Sequence, residues 1–178
     1  AVHGYNLDTY PTSGIGGMGN QTRDAALFNA RRHERTDGNL DVSWLGRFTP
    51  VATQYYEVGL AQKTRSPNLY ERYAWSTWQM AALMNNFVGD GNGYIGRVDL
   101  RPEKAYTLST TFDWHSADRS RALRVSPHFT RVHDYIDAVR RAGWAANQFN
   151  VVQYANQSAR LFGIDVSGHT PLARTELG

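Results

Sequence analysis

Residues 105–114 read Ala-Tyr-Thr-Leu-Ser-Thr-Thr-Phe-Asp-Trp, and this stretch decides the fold class. Its large apolar side chains, Tyr106, Leu108, Phe112 and Trp114, are separated by even numbers of residues, and the odd positions carry only Ala, Ser, Thr or Asp. Successive side chains of a strand point to opposite faces, whereas a helix would repeat its apolar residues every three or four positions. The alternation therefore predicts a β-strand with one apolar and one polar face.

The same period of two recurs on both sides of this stretch and predicts about five antiparallel strands. The further apolar positions are Leu40, Val42, Trp44 and Phe48, then Tyr56, Val58 and Leu60, then Leu123, Val125 and Phe129, and finally Phe162, Ile164 and Val166. Pro50 and Pro67 end the first two runs, because proline has no N–H to donate to a ladder. We predict a strand pair over 40–73 and three strands over 104–172, with loop regions over 1–39 and 74–103.

The polar positions of these strands are unusually small. They include Gly59, Ala61, Thr107, Ser109, Thr111, Ser126 and Ser167. A strand on the surface of a soluble sandwich more often carries Lys and Glu, whereas small polar residues suit a water-filled lumen. The turns near Pro50 and Ser116 are short and the connections over 1–39 and 74–103 are long, which is typical of an outer-membrane barrel. We therefore predict an all-β, antiparallel, up-and-down transmembrane β-barrel segment, and we expect both long loops to be extracellular.

Composition excludes several other classes of protein. No run approaches the roughly 18–20 apolar residues of a membrane helix, and aromatic residues reach 12% in a chain whose mean hydropathy is -0.54. A net charge of +3, spread evenly, does not indicate nucleic-acid binding. The absence of Cys excludes disulfides and thiolate metal sites. Five strands cannot close a barrel, so we expect further chain to complete it.

Four short motifs, in order, resemble TonB-dependent outer-membrane receptors. Lys63-Thr-Arg-Ser-Pro-Asn-Leu-Tyr-Glu71 resembles a strand end of the form Arg-x-Pro-Asn-x-x-Glu, and Asp99-Leu-Arg-Pro-Glu103 is similar to the Leu-x-Pro-Glu that precedes the next strand. Val132-His-Asp-Tyr-Ile136 resembles another strand end, and Tyr154-Ala-Asn156 with Leu161-Phe-Gly-Ile-Asp165 is similar to a Tyr-x-Asn … Gly-Val-Glu stretch. Asp165 departs from the usual Glu. The resemblance covers about residues 40–170.

The resemblance implies a function in transport and not in catalysis. It implies a barrel of about 22 strands in the bacterial outer membrane, a plug domain inside it, and energy supplied through TonB. The expected partners are outer-membrane lipid, the protein's own plug domain, TonB, and a metal or siderophore ligand, with no nucleic acid and no cofactor. We expect the plug domain to be absent from this chain. Residues 70–76 and 89–94 are also similar to the copper-receptor branch.

The loop over 74–99 supplies the candidate ligand site. Aromatic side chains there are candidates to stack on a flat iron chelate, and arginines are candidates to attract its negative charge. The candidates are Trp75, Trp78, Phe87 and Tyr94, with Arg72 and Arg97. The alternative is that these rings form the loop's own small core. Met80 and Met84 lie four residues apart, so on a helix they share one face, and thioethers favour Cu(I). Packing of the loop is the simpler explanation of this pair.

Two other functions stay open at this point. One is a soluble all-β module that binds a ligand or carbohydrate through its Trp residues. The other is an enzyme with loop carboxylates such as Glu71 and Asp99. Gly89-Asp-Gly-Asn-Gly93 imitates the start of a calcium loop, but Tyr94 stands where a ligand is required. His128 and His133 are an odd number of residues apart, so on one strand they face opposite sides.

Overall fold

The computed structural model describes residues 29–74, 89–140 and 151–171. In these ranges the elements are, in order, β1 (Val42–Val51), β2 (Gln54–Arg65), α1 (Leu69–Tyr73), β3 (Gly93–Ile95), β4 (Glu103–His115), β5 (Ala122–Arg140) and β6 (Val151–His169). All six strands belong to one sheet with the order β1-β2-β4-β5-β6-β3. The predicted all-β architecture of long strands is confirmed.

The antiparallel registers bring the large side chains together on one face. Trp44 lies opposite Leu60 in the β1–β2 ladder, and Leu108 lies opposite Phe129 in the β4–β5 ladder. These four side chains remain 43–58% exposed. The alternation predicted for these strands is therefore present, and its apolar face is open instead of forming the interior of a sandwich.

The opposite face is lined by small hydroxyl side chains that bond across the β4–β5 ladder. The hydroxyls of Thr107 and Thr130 are 2.8 Å apart, and those of Thr111 and Ser126 are 3.2 Å apart. The predicted separation of the two histidines is also confirmed: the His128 ring lies near Asp165 on the polar face, and the His133 ring contacts Tyr106 on the apolar face.

The short turns lie together at one end of the sheet. Ala52 and Thr53 join β1 to β2, residues 116–121 join β4 to β5, and the His115 N–H donates to the Thr53 carbonyl at 3.0 Å. In the second turn the Asp118 carboxylate accepts hydrogen bonds from Ser116 Oγ at 2.5 Å and from the Ser120 N–H at 3.1 Å. Short turns at one end agree with an up-and-down connection of the strands.

Two elements were not predicted. Gly93–Ile95 forms β3, which pairs in parallel with the start of β6, so the sheet is not antiparallel throughout. β2 ends at Arg65, ahead of Pro67 as predicted, but the chain then forms the helix α1 inside the range assigned to the strand pair. Three residues are too few for an alternation to be recognised, which explains why β3 was missed.

The described residues fall into two compact units. The strand unit contains 39–65, 104–133 and 158–171, and the loop unit contains 29–38, 66–74, 89–103, 134–140 and 151–157. Most of the buried apolar side chains that the structure describes belong to the loop unit, including Ile95, Val98, Leu100, Ile136 and Val151. Among the residues described, no helix has the length and apolar character needed to cross a membrane, a finding that concerns helices alone.

The turn at Asp118 makes stability depend on pH in a defined direction. Hydrogen bonds from Ser116 and Ser120 lower the pKa of Asp118 from 3.8 to about 2. A carboxyl whose pKa is lower in the folded state stabilises that state above the unfolded pKa, and it loses this effect as pH falls through the folded pKa. We expect Asp118→Asn to destabilise the full-length protein at neutral pH, by an amount that shrinks as pH falls from 3.8 to about 2.

The measurement is urea unfolding of both proteins in a non-ionic detergent across this pH range. The two unfolding free energies should converge only below the ordinary pKa of an Asp. A difference that stays constant down to the lowest pH would contradict the role assigned to the ionised carboxylate.

Candidate functional site

A glycine-rich turn in the loop unit sets the position of Tyr94. Gly89 and Gly91 have φ angles of +78° and +73°, a conformation that side chains other than glycine rarely adopt. Between them Asp90 accepts hydrogen bonds from the Asn92 N–H at 3.1 Å and from the Tyr94 hydroxyl at 2.6 Å. The carboxylate that imitates a calcium ligand thus holds its own loop. No group of three His, Asp or Glu suited to a metal occurs in the described part of the chain.

Tyr94 lies inside the loop unit, where it is 5% exposed. Its ring centroid is 5.6 Å from that of Tyr154 and 6.0 Å from that of Tyr70, so three tyrosines form an aromatic cluster. Burial, and then the hydrogen bond to Asp90, raise the pKa of Tyr94 far above its ordinary value. The structure gives this ring an interior packing role, and its contact with a ligand stays a prediction.

Helix α1 begins with reciprocal capping. The Glu71 N–H donates to Asn68 Oδ1 and the Asn68 N–H donates to Glu71 Oε2, both at 2.8 Å. Each side chain satisfies a backbone donor that the first helical turn leaves without an intrahelical partner. The Asn68-x-x-Glu71 spacing was visible in the sequence and is the signal that could have located this helix.

Arg72 is the buried cation of the loop unit. Its side chain is 8% exposed and donates to the Asp37 carboxylate at 2.5 Å and to the Leu100 carbonyl at 3.3 Å. A buried charge is tolerated only when it is paired, and loss of one partner leaves the other uncompensated. Arg72 was predicted to attract an anionic ligand. The structure shows its charge balanced by Asp37, so it joins α1 to the chain before β1 and to the segment before β4.

Gly96 allows the chain after β3 to lie directly against α1. Its N–H donates to the Ala74 carbonyl at 2.7 Å, and the Arg97 N–H donates to the Glu71 carbonyl at 2.9 Å. A Cβ atom at Gly96 would lie 2.4 Å from the Arg72 backbone, where nothing can give way without moving the main chain. This contact fixes the position of the residues that follow.

Arg97 is the predicted cation that reaches the surface. Its Nε donates to Asp99 Oδ1 at 3.0 Å, and Arg31 Nη1 donates to the same oxygen at 3.2 Å. Burial acts to raise the pKa of Asp99, but the hydrogen bond from Arg97 and the charges of both arginines hold it below the usual value. All three side chains are 41–49% exposed. Two cations share one anion, so this surface carries net positive charge.

Three of the resemblance motifs meet at a hydrogen-bonded junction. Asn156 accepts from the Arg101 N–H at 2.9 Å and donates to the carbonyls of Arg101 and Asp134. Asp134 has a φ of +57°, and its carboxylate lies 2.6 Å from the Arg101 guanidinium. Glu103 accepts from the Ile136 N–H at 2.7 Å. The junction fixes the start of β4 against β5 and β6, a role that the sequence did not reveal.

Several predicted residues lie outside the described ranges. These are Trp75, Trp78 and Phe87 of the aromatic set and the pair Met80 and Met84. The helix predicted within residues 75–86 lies there too. The two carboxylates of the enzyme hypothesis have structural partners, since Glu71 caps α1 and Asp99 pairs with arginine.

Solved structures share this arrangement of strands. The chain is similar to the crystal structure of the siderophore receptor PirA from Pseudomonas aeruginosa, with 18% identity and a TM-score of 0.54 over 71% of this chain and 24% of that one. It is also similar to the copper transporter OprC, with 17% identity and a TM-score of 0.50 over 71% of this chain and 17% of that one. This is the fold of TonB-dependent outer-membrane receptors.

The likeness to this receptor fold confirms the resemblance predicted from the four motifs. No protein-family model matches the chain, and no curated protein matches it by sequence. The chain spans about a quarter or less of the length of the two receptor chains. At this level of identity the comparison establishes the fold alone.

The close approach at Gly96 generates a prediction about the loop unit. We expect Gly96→Ala to weaken the contact between α1 and the chain after β3, because the added Cβ displaces backbone; overpacking of this kind costs about 1–3 kcal/mol. Limited proteolysis of the full-length protein should show faster cleavage within 66–103. Gly38→Ala is the matched control, because a Cβ there meets nothing within 4 Å. Equal cleavage of the two variants would contradict the role assigned to the close contact between Gly96 and α1.

Proposed function

We propose that this chain forms part of the barrel wall and outer loops of an outer-membrane receptor that takes up a scarce metal, as a siderophore chelate or as copper. The observation that carries the proposal is the open apolar face of a sheet whose opposite face is polar. In a bilayer the same face would meet acyl chains, and closure of the barrel by further strands would pair the backbone groups at the two edges of this sheet. The fold shared with a siderophore receptor and a copper transporter supports the same reading.

The polar face fits a lumen that holds water and a plug domain. The hydroxyl pair of Thr107 and Thr130 and the ion pair of Arg47 with Glu57, 3.0 Å long, satisfy one another while remaining partly open. Such a face binds another polar surface without losing its own bonds. We propose that it contacts the plug, which TonB displaces to release the substrate inward.

The loop unit fits an extracellular loop region. In chain order it contains the connections that alternate with the short turns, and its surface carries the Arg97–Asp99–Arg31 group. A fixed positive surface raises the local concentration of an anionic chelate and speeds its association. We propose that Arg97 makes the first contact with substrate and that Tyr94 and Arg72 keep the loop rigid.

A soluble all-β binding module is the rival hypothesis, and two substitutions on neighbouring strands separate it from a membrane barrel. Val58 and Leu45 are 40% and 49% exposed, and Val58 pairs with Gly46, the residue after Leu45, so the two side chains lie on opposite faces at nearly the same height. Arg on the lipid face near the bilayer midplane costs about 2–4 kcal/mol, whereas a lumen position tolerates it.

We therefore expect Val58→Arg to reduce assembly of the full-length protein in the outer membrane strongly, and Leu45→Arg to leave it nearly unchanged. Heat-modifiable migration of the barrel on a gel measures assembly. A soluble module would tolerate both substitutions alike, so equal behaviour of the two variants would count against the membrane barrel.

Transport is tested in cells that depend on the full-length protein for metal. Deletion should impair growth under iron or copper limitation, and the protein should fractionate with the outer membrane. Reversing the charge of Arg97 with Arg97→Glu should lower the uptake rate of an anionic ferric chelate about tenfold, since electrostatic attraction changes association rates by this order or more. Arg121→Glu, in the turn between β4 and β5, is the matched control.

The copper alternative is tested in the same cells. Replacing Met80 and Met84 together by Leu should lower copper uptake and leave ferric-chelate uptake intact if thioethers bind Cu(I). If the deletion strain grows as well as the parent strain under both iron and copper limitation, the proposed substrate class is ruled out.

A further inference from the structure

The apolar face of the strand unit carries a groove of about 520 Å³. This volume falls in the usual range for ligand sites, about 300–1,000 Å³. One side of the groove is a row of four apolar side chains, Trp44, Leu60, Leu108 and Phe129, which we call the apolar row. Next to it, on the side away from the short turns, lies a second row, Val42, Gln62, Tyr106 and Arg131, which we call the interface row.

Polarity therefore rises along the strands within one groove. The apolar row has no polar group except the Trp44 indole N–H, whereas the interface row contains an amide, a phenol and a guanidinium. One step further, Lys104 lies directly opposite His133, on the same face as Tyr106 and Arg131. A surface that passes from apolar to amphipathic to cationic matches the profile of a membrane lipid from chain to headgroup.

Two cations of this surface, Arg131 and Lys104, have no counter-charge among the residues that the structure describes. Among the described residues, no carboxylate lies within ion-pair distance of Arg131 or Lys104, whereas Arg47, Arg72, Arg97 and Arg101 all have one. A lone Arg on a lipid-facing surface is unfavourable at the bilayer centre and tolerated near the headgroups. An anionic group from the surroundings would complete the site.

The position of Arg131 agrees with a headgroup plane. Trp114 near the turn and Tyr106 near the loop are eight residues apart on β4, which is about 26 Å along the strand and about 20 Å along the bilayer normal at a tilt near 40°. The apolar band of such barrels is about 25 Å tall. Arg131 lies opposite Tyr106 and therefore at the edge of this band, in the leaflet away from the short turns.

We propose that this groove is a binding site for one anionic, phosphate-bearing membrane lipid. An acyl chain lies along the apolar row, and the phosphate accepts hydrogen bonds from Arg131, with Lys104 adding charge. The guanidinium suits this role because its planar fork bonds two phosphate oxygens at once. The proposal rests on the membrane position proposed above and adds to it a specific lipid partner.

Photo-cross-linking at the groove tests the proposal in the full-length protein. The chain has no Cys, so Gln62→Cys gives one attachment point in it for a photoreactive label in the groove that Arg131 also lines. The protein is placed in nanodiscs that contain equal amounts of phosphatidylglycerol and phosphatidylcholine with the same acyl chains. We expect about fivefold more adduct with phosphatidylglycerol, the preference that one cation at an anionic lipid surface supplies.

Three variants on β5 test whether the preference for phosphatidylglycerol depends on Arg131. Arg131→Gln should remove the preference and Arg131→Lys should keep most of it. Arg124→Gln is the matched control, because Arg124 lies on β5 on the polar face and should leave the preference unchanged. An equal yield of the two lipids in the parent protein, or an equal loss in Arg131→Gln and Arg124→Gln, would overturn the lipid site.

Competition by inorganic phosphate and membrane fractionation distinguish the remaining explanations. Excess inorganic phosphate should leave the adduct intact, and displacement by phosphate alone would show an ion site and overturn the role of the acyl chain. Fractionation distinguishes the two proposals: a protein found in the outer membrane that cross-links both lipids equally contradicts the lipid site alone. A protein absent from the membrane contradicts both.

Discussion

An antiparallel ladder places consecutive side chains on opposite faces, so the register between β4 and β5 decides what each face of the sheet contains. Leu108 meets Phe129 and Thr107 meets Thr130 because the two strands pair in one alignment. A slip of one residue would carry every large apolar side chain of a strand to the polar face. In hydrocarbon the same ladder must also satisfy the backbone N–H and C=O groups, because no water is present to form hydrogen bonds with them. Pairing of the strands and separation of the faces are thus one constraint.

The small size of the polar-face residues follows from this constraint as much as from function. A Cβ at Gly59 would meet the Ser109 hydroxyl at 2.6 Å, and one at Gly163 would meet the His128 ring at 2.5 Å. At these two positions a larger residue would have to displace a side chain that already lies on the polar face. The small residues that argued for a lumen therefore also fit the local packing of this face.

Periodicity predicted the long strands, and it did so because each contains enough alternating residues to exceed chance. The same method could not find β3, whose three residues carry no period, or α1, whose five residues show themselves only through Asn68 and Glu71. The pairing of Arg72 with Asp37, 35 residues away, was invisible because no local pattern links two charges that distant in the chain. For the candidate ligand residues that the structure describes, the sequence did not show which side chains face inward.

In the proposed receptor, the difference between buried and exposed side chains determines how the loop unit would recognise a substrate. Tyr94 and Arg72 are held in its interior, where Arg72 also bonds the Leu100 carbonyl, and contact of either side chain with a chelate stays a prediction. Their contribution is rigidity: a fixed backbone holds Arg97 in place against Asp99, and a preorganised cation loses less entropy on binding. In the proposed receptor, the first attraction of an anionic substrate would then come from a positive surface set on a rigid core.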